Sequence, residues 1–413
     1  MDNRAAVRAL LEGAVPEVRP ASPASDPSPA ARRGPVDALR TFLTLLVVAH
    51  HSVLAYLSWL PPASGALTDP PLLWGAFPVV DPQRWPGIDL FSGFNDTFFM
   101  SLLFLISGLF VWPSLQRKGS VAVLKARFLR LGLPFLVVAL LAPLAYLPAF
   151  LQRQPGGGLA AFAAQWGALP SWPAGPAWFL WVLLAFDVLA AALFAWAPRA
   201  MNSLAAAVSA RSARPAAFFL LLLVLSSAGY IPLSLLVSPY QWPSIGPFAV
   251  QAARLAHYAV YFFVGAALGA QSAPLLSVEG KLARRWPLWA FAALFAFAVA
   301  GGLYVAFLGH AGSQAWLAFS GFGFTLSCAC SSLFFLSLFA RFRSTDRARG
   351  ALSLNAYGIY LTHYFFVSWL QLGLLGIPVP APLKAAAVFA GAVALSAGLT
   401  VLLRRIPAVA RVL

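Results

Sequence analysis

Ten apolar segments divide this chain, near residues 38–60, 97–113, 128–150, 178–197, 216–237, 253–271, 286–309, 315–340, 351–375 and 384–406. Most approach the roughly 20 residues an α-helix needs to cross about 30 Å of hydrocarbon. Lipid gives backbone amides no partner, so each segment must close its hydrogen bonds internally as a helix. The expected fold is all-α: a polytopic membrane protein of about ten transmembrane helices. Composition excludes a soluble domain, because 61% of residues are hydrophobic and only 10% are charged, where soluble domains carry about a quarter charged.

The net charge of +16 does not point to nucleic acid. The basic residues alternate with the apolar segments instead of forming one patch, and no nucleic-acid motif accompanies them. They fit an orientation signal better. With the N-terminus in the cytoplasm, all but four of the 28 Lys and Arg residues fall on the inner side, the exceptions being Arg84, Arg153, Arg254 and Lys384, as the positive-inside rule requires. An even number of spans then returns the C-terminus to the cytoplasm.

Residues 1–34, rich in Ala, Pro, Ser and Arg without apolar periodicity, read as a disordered cytoplasmic tail. They lack a signal-peptide core, so the first span is expected to act as its own insertion signal. Residues 35–406 form the expected membrane domain and 407–413 a short cytoplasmic tail. The longest outer loop, about 61–96, carries Asp69, Asp81, Asp89 and Asp96 together with Trp74, Phe77, Trp85, Phe91 and Phe94. It could fold over the outer mouth or rest on the headgroups as an aromatic belt.

Ionisable side chains are costly in lipid, and the first span carries several. Arg40 lies at its N-terminal edge and His50 and His51 near its middle. At about 1.5 Å and about 100° per residue, His51 lies about 16 Å beyond Arg40 on the same helical face. Asp37 sits one turn before Arg40, a spacing that suits an ion pair at the cytoplasmic interface. His50 points about 100° away, toward another neighbour. In the ninth span Asn355, Tyr360 and His363 fall within two turns, with Tyr360 and His363 on one face. His363 is a candidate partner for His51, although a single buried His bonded across helices is the commoner case. Asp187, inside the fourth span, is expected to pair with a buried Arg or His or to stay protonated.

Arg127 and Arg130 stand one turn apart at the start of the third span, where two guanidinium forks can face one phosphate; inner loops also gather such charge for topology alone. Ser107-Gly108 in the second span reads as a packing element that lets a neighbouring backbone approach. Cys328 and Cys330 form a C-x-C pair without further ligands nearby, so no metal is expected.

Several of these pieces, in order, resemble the acyltransferase-3 family of integral membrane acyltransferases. Asp37-Ala38-Leu39-Arg40 followed by His51 is similar to its opening motif, except that Thr41 stands where the family frequently has Gly. Phe104-Leu105-Ile106-Ser107-Gly108 resembles its Ser-Gly segment, and Arg127-Phe128-Leu129-Arg130 its inner R-x-x-R element. Trp178-Phe179-Leu180-Trp181 resembles its Trp-Phe helix start, and Asn355 through His363 its late Tyr-Leu-x-His segment. The resemblance covers about residues 35–405. It implies an enzyme that moves an acyl group, acetyl or succinyl, from cytoplasmic acyl-CoA to a hydroxyl of a glycan, sugar or lipid. It also implies His51 as the essential histidine accompanied by Arg40, Arg127 and Arg130 as holders of CoA phosphates, no metal, and a place in the bacterial cytoplasmic (inner) membrane. Asp37, Tyr360 and His363 would support the site. An imidazole can take the acceptor's proton and a nearby guanidinium can stabilise an oxyanion. A transporter or exporter of a glycan or lipid is the rival reading for a ten-span chain with buried His and Asp. It predicts Gly/Pro-broken helices paired between two related halves, and no internal repeat is evident in the sequence.

Overall fold

The computed structural model describes residues 29–69, 78–271, 280–342 and 351–413. They form helices α1 (Pro29–Val53), α2 (Pro86–Gly108), α3 (Val111–Lys118), α4 (Ser120–Arg127), α5 (Leu133–Arg153), α6 (Leu159–Gly167), α7 (Trp178–Trp196), α8 (Pro198–Ser212), α9 (Pro215–Leu236), α10 (Leu255–Ala270), α11 (Lys281–Arg284), α12 (Trp286–Gly309), α13 (Gln314–Arg341), α14 (Ala351–Gly373), α15 (Ala381–Leu403) and α16 (Pro407–Ala410). The described β-structure is one antiparallel ladder, β1 (Ser244–Ile245) with β2 (Phe248–Ala249).

Each expected span coincides with a helix. Among the described residues, eight helical rods are long and apolar enough to cross a membrane: α1, α2–α3, α4–α5, α7, α9, α12, α13 and α15. The two remaining expected spans are α10 and α14, and both lie inside the bundle. α10 has 16 residues, about 24 Å of helix, and runs parallel to α2. There Gly265 and Gly269 meet the carbonyl oxygens of Leu105 and Leu109 directly, and Gly108 meets that of Phe262. Any Cβ at these positions would overlap the neighbouring backbone, so small residues set the close crossing. α14 packs between α1, α5 and α15.

Successive spans alternate in direction, which defines two faces. The tail face carries the start of α1, the α3–α5 junction, α8 and the chain's end. The cap face carries the loops before α2, α7 and α10. Boundaries differ from expectation in three places. α2 begins at Pro86, so Asp89, Phe91, Phe94 and Asp96 are helical and not part of a loop. Pro86 stands in the first turn, where its missing N–H costs nothing, and Asp89 suits the positive end of the helix dipole. Helical backbone also begins at Pro29, ahead of residue 35; residues 1–28 of the expected tail, and Trp74 and Phe77 of the loop, lie outside the described residues. α8 replaces an expected inner loop.

Candidate active site

α1 and α14 pack through Val48, Ile359 and Val367, and this contact brings together two histidines 312 residues apart in the chain. His51 Nδ1 lies 2.8 Å from the Val47 carbonyl and 3.2 Å from His363 Nε2. His363 is fully buried, and its Nδ1 lies 2.7 Å from the Tyr360 carbonyl. Tautomers follow from these partners. A carbonyl only accepts, so His363 carries its proton on Nδ1 and presents Nε2 as an acceptor. His51 therefore carries its proton on Nδ1 and shares it between the Val47 carbonyl and His363. Nε2 of His51 is left as a lone pair with no hydrogen bond among the described residues, in the ring state a general base needs. Tyr364 closes the group edge-on, its ring centroid 5.4 Å from that of His51.

His51 borders a cavity of about 110 Å³, room for several water-sized groups. His50, Tyr360 and Tyr364 line it as well, with Gln371, which holds the His51 carbonyl at 3.1 Å. Tyr360 bonds the Pro176 carbonyl through its hydroxyl at 2.5 Å, tying α14 to the cap loop before α7. His50 and His51 sit edge to face at 5.6 Å and look at different neighbours, as their angular offset requires. His50 packs on Phe99 at 5.0 Å.

Arg40 does not join this cavity. It pairs with Asp37 at 3.3 Å, as the i,i+3 spacing predicts, with side chains 50% and 38% exposed on the tail face. Sharing a helical face is not the same as sharing a site, because three turns of helix separate the two residues. Arg254 instead lines the cavity. It is held by Asp96 through Nη1–Oδ1 at 2.9 Å and Nη2–Oδ2 at 2.6 Å.

Arg127 and Arg130 lie at the tail face but are not an equivalent pair. Arg127 Nε stands 3.3 Å from Oδ2 of the fully buried Asp187, with its own side chain 24% exposed; of the alternatives left open for that acid, an Arg is the neighbour it meets. A π-helical turn, Phe128–Gly132, follows directly and reorients the next residues. The side chain of Arg130 is exposed, while its carbonyl accepts from the Tyr357 hydroxyl. Ser107-Gly108 has the packing role its sequence suggests. Cys328 is buried 3.5 Å from His257 Nε2. Reasoning from the sequence missed His257 itself, bonded to Ser101 at 3.0 Å and Ser226 at 2.9 Å, and also Tyr364, Gln371 and the functional placing of Arg254. A signal for the last existed: Arg254 is one of four cations on the wrong side of the charge pattern.

The chain matches the acyltransferase-3 family, described as an acyltransferase domain, over residues 35–401. No curated protein and no solved structure matches it. The match takes in α1 from the Asp37–Arg40 pair to His51, the Arg127–Arg130 turn, and α14 with His363. The chain belongs to the acyltransferase-3 family and is an integral membrane O-acyltransferase.

Proposed function

We propose that this enzyme moves an acetyl or succinyl group from cytoplasmic acyl-CoA to a hydroxyl of a glycan, sugar or lipid, in the bacterial cytoplasmic membrane with both termini inside. The observation that carries this reading is the relay Tyr360 carbonyl, His363, His51, ending in the free Nε2 lone pair of His51 at a cavity within the bundle.

In this mechanism Nε2 of His51 takes the proton of the acceptor hydroxyl as its oxygen attacks the thioester carbon. The tetrahedral intermediate collapses with cleavage of the C–S bond, and the proton passes from His51 to the departing sulfur to leave free CoA. His363 holds the His51 tautomer throughout and steadies the imidazolium, as the orienting member of a triad does. Arg127, Arg130 and Arg40 are assigned to the donor end, where their tail-face position suits CoA phosphates. The thioester then has to reach about 16 Å into the bundle, the helical rise from Arg40 to His51.

The test is purified protein in lipid nanodiscs with acetyl-CoA and, separately, succinyl-CoA, following donor binding and CoA release. Release that disappears in folded His51→Ala supports the reading and identifies the donor. Unchanged release in that variant overturns the role of His51. Folded wild-type protein that neither binds nor turns over either donor overturns acyl-CoA as the donor.

A further inference from the structure

Arg254 lines the same cavity as His51, and its environment is built. Nη1 donates to Asp96 Oδ1 at 2.9 Å and to the Asp96 carbonyl at 3.2 Å, and Nη2 donates to Oδ2 at 2.6 Å. The guanidinium also lies 4.6 Å from the centre of the Phe324 ring. Three of its N–H donors go to Asp96, the hydroxyls of Tyr230 and Tyr258 face the guanidinium as well, and the carboxylate keeps acceptor capacity beyond the two bonds it receives. The Arg254 side chain is 10% exposed and that of Asp96 29%, and apolar groups of similar volume serve stability as well as such a pair or better. Ionisable groups inside a membrane bundle more often mark where substrate goes.

The wall next to the pair is aromatic. Trp178 stands between Trp242, at 5.6 Å and 83°, and Tyr258, at 5.7 Å and 30°; all three line the same cavity as Arg254, Asp96 and His51. Flat apolar faces beside a rigid donor–acceptor pair suit a ring that has C–H faces and adjacent hydroxyls. One hydroxyl donates to Asp96, and a second accepts from Arg254. A lipid alcohol would leave the charged pair unused. Resting on the acyltransferase reading, we infer that Arg254 and Asp96, with Trp178 and Trp242, form the acceptor subsite. It holds a polyhydroxylated ring with one hydroxyl presented to Nε2 of His51.

The experiment uses the full chain in nanodiscs with each donor, maltoheptaose as the polyhydroxylated probe and 1-octanol as the lipid-alcohol probe. Free CoA and acylated product are measured together. Maltoheptaose is expected to accelerate CoA release and to carry the acyl group, whereas 1-octanol does neither. Arg254→Lys, Asp96→Asn and Trp242→Ala should each raise the half-saturating maltoheptaose concentration by about tenfold or more, as expected on losing a charged hydrogen bond or a stacking face. The donor KM should stay within about twofold, since donor phosphates bind elsewhere. Trp242 lies in the loop just before β1, so its variant spares the bundle if the Arg254–Asp96 pair proves essential for folding. Acylation of octanol alone, no maltoheptaose effect in wild type, or donor and acceptor KM rising together in all three variants overturns the subsite. His51-dependent CoA release without any saccharide effect leaves the acyltransferase reading standing and removes only this inference.

Discussion

The two faces of the bundle use positive charge in opposite ways. On the cap face Lys384 and Asp81 form an ion pair at 2.7 Å with both side chains 1% exposed. Arg153 spends one nitrogen on the carbonyls of Ser64, Ala66 and Asp69 at 2.9–3.0 Å, and Arg84 holds those of Ser58 and Leu60. Arg254 clamps Asp96. Every one of these four cations fastens a loop or a helix start to the bundle or lines the cavity. On the tail face Arg40 and Asp37 are about half exposed and Arg404 bonds the Leu354 carbonyl and Asn355, with Arg127, paired with the buried Asp187, as the exception. A cation that obeys the positive-inside rule needs no further reason for its place, whereas one that breaks the rule has to be satisfied by the fold. The exceptions to a charge pattern are therefore more informative about structure than the residues that follow it.

The contrast can be broken most severely at Lys384. Lys384→Ala strands Asp81 in a buried site and should cost about 3–5 kcal/mol, while the double change Lys384→Met with Asp81→Leu should recover much of it. Thermal unfolding in detergent measures both, and a single variant as stable as wild type would show that the pair is not buried as described. Arg153→Ala removes charged hydrogen bonds to three carbonyls. A loss of about 1.5–3 kcal/mol is expected, visible as faster proteolysis of residues 57–69 than of the helices. Next comes Arg127→Ala, which leaves Asp187 without its partner. It should raise the KM for acyl-CoA and lower stability, whereas Arg130→Ala should raise that KM with little change in unfolding temperature; equal behaviour of the two would erase the difference between them. The smallest effect belongs to Asp37→Asn, which should alter stability by no more than about 1 kcal/mol and less at high salt. A change as large as that of Lys384→Ala would mean the tail-face pair is not solvent-screened.

Much of the fold was legible because long apolar segments have a single solution in lipid. Helix boundaries were less so. Residues 61–96 read as a loop because Pro86 suits a loop and a helical first turn alike, and the acids of the first turns of α2 are held by tertiary partners such as the Ser58 backbone N–H, which donates to Asp89 at 2.9 Å. In the site, Asp37 with Arg40 and Tyr360 with His363 were readable because each pair lies within one helical turn, where spacing fixes contact. His51 with His363 was only a candidate pairing, since nothing in the order of residues says which helices touch. Arg40 with His51 misled, because angular agreement along a helix carries no information about the rise between two positions and a shared cavity. Asp96 with Arg254 was out of reach for the same reason as the histidine pair.

By itself the sequence determined the solvent, the helical character of the spans, the local pairs and the family. These depend on composition, charge and periodicity, which are properties of neighbours along the chain. Only the tertiary structure decided which histidine meets which, where the cavity lies, and that its cation is Arg254 and not Arg40. Those outcomes depend on how helices far apart in sequence pack, through close approaches such as Gly265 on Leu105 and Gly269 on Leu109. Packing of that kind is set by the shapes of two surfaces at once.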